Sequence, residues 1–265
     1  VEEFDEDFHQ VVGRAKEAGV GRIYMPNIDD TTIPALLDAC AQYPDYCFPM
    51  LGFHPTSVDG DVMDRVLRMK RLLTEGHPYV AVGEVGMDLY WDKTYLKEQQ
   101  KVLEEQIQWA LEWNLPLVIH CREAFPELFE VMHPYQKEPL TGIFHSFTGT
   151  RDEVMEVLNY PGFMIGINGV VTFKKSTLPQ VLADVPLERV VLETDSPYNT
   201  YKYAGLPPDP IRFVNIKSID AVLNYTKHKY LYMCAKEDFS GYHNFATTLS
   251  QHNVNAARYH ESIRA

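Results

Sequence analysis

Apolar residues along this chain follow two spacings that take turns. Over residues 5–19, Phe4, Phe8, Val11, Val12 and Ala15 recur at helical intervals and Gly19 closes the segment, which predicts an amphipathic helix. Arg22–Asn27 then reads as a short strand ending in turn residues. The alternation continues. Helices are predicted over 32–43, 61–75, 93–114, 123–133, 152–159 and 176–183, and strands begin near residues 22, 47, 79, 115, 141, 162 and 189. Seven strands separated by helices predict a parallel sheet with crossover helices. The chain opens on a helix, so an eighth strand is expected before Val1. The pattern predicts a (β/α) barrel that lacks its first strand.

Several strands end on chemically useful side chains. The apolar run from Tyr79 to Val82 reads as a buried strand that runs out in Gly83-Glu84-Val85-Gly86, with Asp88 behind it. Leu115–Ile119 ends at His120, Thr141–Phe144 at His145, and Arg189–Thr194 at Asp195. Carboxylates and imidazoles recurring at the C-terminal ends of different strands are the arrangement of a barrel active site at its rim.

A length of 265 residues at 45% hydrophobic content is enough for one large core, and about 250 residues is the usual size of a single barrel. No apolar run is long enough to cross a bilayer. The acidic start Val1–Asp7 is no signal peptide. It carries no initiator Met, so the natural start is expected to lie upstream. Cys40, Cys47, Cys121 and Cys234 form no C-x-x-C pair, which fits reduced thiols in a cytoplasmic protein. The net charge of −13 argues against a surface that coats nucleic acid. It leaves open a local site in which divalent cations reverse the field. Residues 198–265 are different, with 8 Lys/Arg against 5 Asp/Glu, and this shift suggests a boundary near 198.

Glu84, His120, His145 and Asp195 offer two carboxylates and two imidazoles. That donor set suits Zn²⁺ or Mn²⁺, and carboxylates with water suit Mg²⁺. One or two such ions are expected, with Asp195 also able to take the proton from an attacking water. Glu84 and Asp195 are therefore the expected catalytic carboxylates. His54, in Gly52-Phe53-His54-Pro55, and Arg122, two residues beyond His120, are expected substrate contacts through phosphate oxygens. Each residue also has a simpler reading: His54 as a turn residue, Glu84 as a helix cap, Asp195 as the turn before Ser196-Pro197, Arg122 as a surface cation. Asp88 and Trp91 read equally well as substrate contacts or as packing and turn residues.

Six stretches carry a resemblance. These are Gly52–Pro55, Gly83–Asp88, Val118–Arg122, Phe144–Gly149, Gly169–Lys174 and Leu192–Tyr198. In that order and spacing, residues 1 to about 198 resemble the TatD family of metal-dependent deoxyribonucleases. The resemblance implies a TIM barrel of the amidohydrolase-like, metal-dependent hydrolase kind. It implies hydrolysis of DNA phosphodiesters, single-stranded or at DNA ends, with Glu84, His120, His145 and Asp195 on the family's metal ligands. Many members open with an Asp-x-His-x-His strand, and this chain begins just after that point.

After Asp195-Ser196-Pro197-Tyr198 the text changes. Asn199–Ile211, Tyr230–Lys236 and His243–Ala246 resemble the C-terminal end of MltG (YceG-like) endolytic murein transglycosylases. The two families share the tetrapeptide at 195–198, so a fusion at that word is expected, with a barrel over 1–198 and a foreign fragment over 199–265. Glycosidic cleavage needs a positioned carboxyl acid. Glu237, Asp238 and Glu261 read as solvated charges, so no site is carried over to this segment.

Overall fold

In the computed structural model, the described residues are 8–17, 19–173, 176–193, 232–235, 243–246 and 248–264. The chain divides into two compact units, residues 1–215 and 216–265. The junction expected at 195–198 lies outside the described residues.

In the first unit all seven expected strands are present, and all are parallel. β1 (Ile23–Met25) pairs with β2 (Cys47–Pro49). A single parallel bridge between Leu51 and Val82 leads on to β3 (Val82–Asp88). From there the order is β3, β4 (Leu117–Arg122), β5 (Gly142–Phe144), β6 (Phe163–Ile167) and β7 (Val190–Leu192). Neighbours in sequence are neighbours in the sheet, as expected when each crossover is a helix packed on one side. The crossovers are α2 (Ile33–Gln42), α3 (Val62–Lys70), α4 (Leu96–Trp113), α5 (Phe125–Met132), α6 (Arg151–Leu158) and the short α7 (Leu178–Val181); α1 (Phe8–Glu17) precedes β1. This is the TIM-barrel-like architecture that the alternating pattern predicts.

The core is apolar and closed. Leu51, Phe53, Val82, Val85, Met87, Leu103, Ile107, Leu117, Ile119 and Phe163 have essentially no exposed surface. In β4 the burial alternates, with Leu117, Ile119 and Cys121 buried while His120 and Arg122 share the other face. In β3 the register with β4 shifts between Gly83 and Val85, so Glu84 has no partner of its own in the ladder. Val85 and Met87 point into the apolar layer, and Glu84 and Asp88 both reach His120. Gly86, between them, has φ +135°, and a Cβ there would collide with the His120 carbonyl. The two strands can approach this closely only with a glycine at that position.

The long helix α4 buries Val102, Leu103, Ile107 and Ala110, as its periodicity predicts. It also buries three glutamines that the apolar pattern does not explain, Gln99, Gln100 and Gln106, and the first and last of them bond to main chain at strand ends. Gln106 Oε1 accepts from the Phe53 N–H at 2.6 Å, and its Nε2 faces the Phe53 carbonyl at 3.4 Å. Gln99 Oε1 accepts from the Asp88 N–H at 2.9 Å and its Nε2 donates to the Asp88 carbonyl at 3.0 Å. Seven positions apart, two helical turns, the two amides stand on one face. Each reaches both the N–H and the carbonyl of one residue at or just beyond a strand end, Phe53 after β2 and Asp88 at the end of β3. Asn114, with φ +51°, closes the helix and donates to the Ala110 carbonyl.

In the second unit, β8 (Tyr232–Ala235) and β9 (His243–Ala246) pair antiparallel, and α8 (Leu249–Arg264) packs against both.

Candidate metal centre

Strand β3 runs through Glu84 rather than stopping before it, and ends at Asp88. A buried carboxylate interrupts a strand only if it is left uncompensated, and here two imidazoles stand against it. Glu84 Oε1 lies 3.1 Å from His120 Nδ1 and 3.7 Å from His54 Nε2. The His54 and His120 rings are 4.7 Å apart. One donor atom from each of His54, Glu84 and His120 falls within 4.8 Å of the others, a group able to hold a metal ion.

Each ring is held from behind. His54 follows β2 and opens a 3₁₀ turn at Pro55–Ser57, where Thr56 Oγ1 lies 2.7 Å from Nδ1 and leaves Nε2 facing Glu84. His120 Nε2 is 2.9 Å from Asp88 Oδ2, whose residue is only 3% exposed. With a cation in the cluster, Nε2 would keep its proton toward Asp88 and Nδ1 would face the cation, the arrangement by which a carboxylate orients a metal-binding imidazole. Asp88 Oδ1 also accepts from the Tyr90 N–H at 3.0 Å.

The electrostatics follow from these contacts. Burial alone would push the Glu84 carboxyl up. The hydrogen bond to His120, with the His54 and His145 imidazoles nearby, outweighs it and holds Glu84 well below the usual carboxylate range. Burial works against a charged His120, yet its hydrogen bonds to Asp88 and Glu84 raise it to about 9. Asp88, also penalised by burial, is lowered chiefly by His120. Without a metal, the positive charge between the two carboxylates is therefore the His120 proton.

His145 follows β5 directly. Its Nδ1 lies 2.8 Å from Glu193 Oε2, just beyond β7. Ser146, at φ +48°, donates its N–H to the same Glu193 carboxylate, and Asn168 Nδ2 donates to Ser146 Oγ at 2.5 Å. His120 and His145 thus share one design, an imidazole at a strand end with a carboxylate behind one ring nitrogen.

Of the residues singled out from the sequence, Glu84, His120 and His54 come together in one cluster. His54 stands among the metal-competent groups. His145 is paired with Glu193, and its charge reaches Glu84. Arg122 stacks on Tyr90, with its guanidinium carbon 3.7 Å from the ring centroid. Asp195 lies outside the described residues. Two carboxylates have partners that the sequence did not indicate: Asp88, read there as a substrate contact or a packing and turn residue, pairs with His120, and Glu193, given no role, pairs with His145. For Asp88 the signal was period two: four residues beyond Glu84 in a strand is the same face. For Glu193 it was a charged residue closing an apolar strand beside Asp195.

The family model described as TatD related DNase matches residues 1–228 of this chain. The metal-dependent hydrolase YabD of Bacillus subtilis, itself described as uncharacterized, is 32% identical over 212 residues, covering 80% of this chain and 79% of that protein. The 3′-5′ ssDNA/RNA exonuclease TatD of Yersinia pseudotuberculosis is 34% identical over 198 residues, covering 74% and 75%. Among solved structures, the TatD homologue YJJV of Escherichia coli superposes with a TM-score of 0.69 at 28% identity, over 83% of this chain and 84% of that one. With a family model that spans most of its length and relatives above 30% identity over three quarters of theirs, this chain belongs to the TatD-related DNase family.

Proposed function

We propose that this metal-dependent hydrolase cleaves phosphodiester bonds of single-stranded nucleic acid from the 3′ end. The observation that carries the reading is the Glu84 carboxylate set between the His54 and His120 rings, with Asp88 fixing the second ring from behind. Two imidazole nitrogens and a carboxylate oxygen suit Zn²⁺ or Mn²⁺, with Mg²⁺ favoured if further oxygen ligands join. His54, Glu84 and His120 would hold one cation, and His145 and Asp195 would complete the site for it or a second. Bound there, a divalent cation supplies Lewis acidity to a phosphate and to the attacking water.

The chain's own residues do the rest. Glu84, held anionic, supplies negative charge that keeps cations in place. Asp88 and Glu193 keep His120 and His145 oriented. Asp195 takes the proton that water loses as it attacks phosphorus, and a proton returns to the oxygen that leaves, so that hydrolysis adds one water across one bond. Arg122 stands at the rim as a cation for the strand. The 3′-5′ direction and the single-strand preference rest on the named activity of the Yersinia relative. The buried thiols of Cys40, Cys47 and Cys121 support a cytoplasmic setting, and no helix among the described residues is long and apolar enough to cross a membrane.

For residues 199–265 the proposed origin is the end of a murein transglycosylase, and no catalytic role is assigned there. Purified chain is expected to leave murein intact.

The test of the main reading is release of nucleotides from 3′-labelled single-stranded DNA with Mg²⁺ or Mn²⁺, beside the same strand as a blunt duplex and the same strand labelled at its 5′ end. Stepwise loss of the 3′ label, abolished by EDTA and slower on the duplex, supports it. Internal cuts alone would refute the exonuclease direction, and chelator-resistant release would refute the metal.

A further inference from the structure

Beside the metal centre lies a group of side chains that the fold does not need. Trp91 is 71% exposed and Tyr90 is 46% exposed, although burying such rings is among the largest stabilising contributions a side chain can make. The two rings meet edge to face at 4.8 Å and 88°. Arg122 sits over both, its guanidinium carbon 3.7 Å from the Tyr90 centroid and 5.4 Å from that of Trp91. Among the described residues Arg122 makes no ion pair with a carboxylate. Hydrogen bonds tie the group to the centre. Arg122 is two residues past His120 on β4, the Leu89 N–H donates to the Arg122 carbonyl at 3.0 Å, and the Tyr90 N–H donates to Asp88, the carboxylate that orients His120.

We propose that Trp91, Tyr90 and Arg122 form a stacking platform for an unpaired nucleobase next to the scissile phosphate. The inference rests on the nuclease reading and deepens it. A base offers a π-face to the indole, and the phosphate attached to it offers charge to the guanidinium. Both must be recognised close to the metal, because a chain of net charge −13 has no general attraction for nucleic acid. A paired base hides its face in the duplex stack, so the platform also discriminates against double strands. Every base has a π-face, so sequence preference is expected to be weak.

The test compares Trp91→Ala and Trp91→Phe with the wild-type chain on a 3′-labelled strand, and on the same strand with tetrahydrofuran abasic residues in its two terminal positions. An exposed ring can be removed without loss of fold. Trp91→Ala is expected to lower kcat/KM about 10- to 100-fold on the base-bearing strand, as for loss of one stacked base, and far less on the abasic strand. Trp91→Phe should keep most of the wild-type rate. Equal losses on both strands, or none on either, would overturn the platform. Wild-type chain that releases nothing from either strand would instead sink the nuclease reading. In that case quenching of tryptophan fluorescence by oligothymidylate decides the platform by itself: quenching lost in Trp91→Phe upholds it, and unchanged quenching rejects it.

Discussion

The change Gln106→Leu tests how the core of the barrel holds its rim. Gln106 has no exposed surface, and its side chain spans from α4 to the backbone of Phe53, also fully buried. Leucine has nearly the same volume, so packing is conserved and the loss is polar. The Phe53 N–H, bonded at 2.6 Å, is left with no acceptor, which costs about 1–3 kcal/mol. The 3.4 Å contact to the Phe53 carbonyl is too long to add much. Leucine recovers part of the loss by burying more apolar surface, so a net destabilisation of about 1–2 kcal/mol is expected. That corresponds to a fall in Tm of about 2–8 °C for a unit of this size. Phe53 is bonded directly to His54, so the loosened backbone should also weaken metal binding. The assay is urea unfolding followed by far-UV circular dichroism on metal-stripped protein, with calorimetric titration of Mn²⁺ into the same samples. A Gln106→Leu chain as stable as wild type, with unchanged Mn²⁺ affinity, would refute the clamp.

Three further outcomes are expected. In metal-free protein, His120 titrates near 9 because Asp88 and Glu84 hold its proton against the cost of burial. Asp88→Asn should move that titration down, read by NMR of the ring, and an unmoved value would contradict the pairing. The same raised pKa sets a pH window: its folded value lies above the unfolded value of about 6.5. Its stabilising contribution is thus complete below about 6.5 and lost as pH rises through about 9. Urea midpoints in EDTA should fall across that window more steeply for wild type than for His120→Gln, and parallel curves would count against it. Cys40, pushed up to about 12 mainly by burial, and Cys47 and Cys121, raised for the same reason, should stay slow toward a thiol reagent at pH 8 until denaturant is added. Rapid labelling of any of these three in native protein would show that the core opens there.

The strand and helix order was legible because each crossover in a parallel sheet repeats the same two spacings. The sequence reading ended the third strand too early. The apolar run Tyr79–Val82 reads as a buried strand that runs out over Gly83–Gly86, yet the regular ladder to β4 begins at Val82 and continues through Glu84 to Asp88. A charge looks like the end of a strand until its partner is known, and the partners here, His54 and His120, come from 30 or more residues away. The same limit hid the pairing of Asp88 with His120 and of Glu193 with His145, and the strand-end contacts of Gln99 and Gln106. Gln99 and Gln106 look like surface residues on an amphipathic helix, and only the strand ends they satisfy reveal why they are buried. The metal-competent residues, by contrast, were visible because carboxylates and imidazoles recur at the ends of different strands, Glu84, His120 and His145 among them. From the sequence His54 reads as a substrate contact, with a turn residue as the simpler reading because Pro55 makes a turn there in any case. Its ring faces Glu84 and His120 only because the bridge at Leu51–Val82 brings β2 alongside β3.

Glu84 is proposed to join His54 and His120 in a cation site that drives phosphodiester hydrolysis. The most direct measurement is Mn²⁺ binding by calorimetry and nucleotide release from 3′-labelled single-stranded DNA, made on the same preparations of wild-type and Glu84→Gln chain. Glutamine keeps the volume and removes the charge, so the variant is expected to stay folded with Mn²⁺ affinity reduced at least about tenfold and release reduced at least about a hundredfold. A Glu84→Gln chain that binds Mn²⁺ and releases nucleotides as wild type does would contradict it.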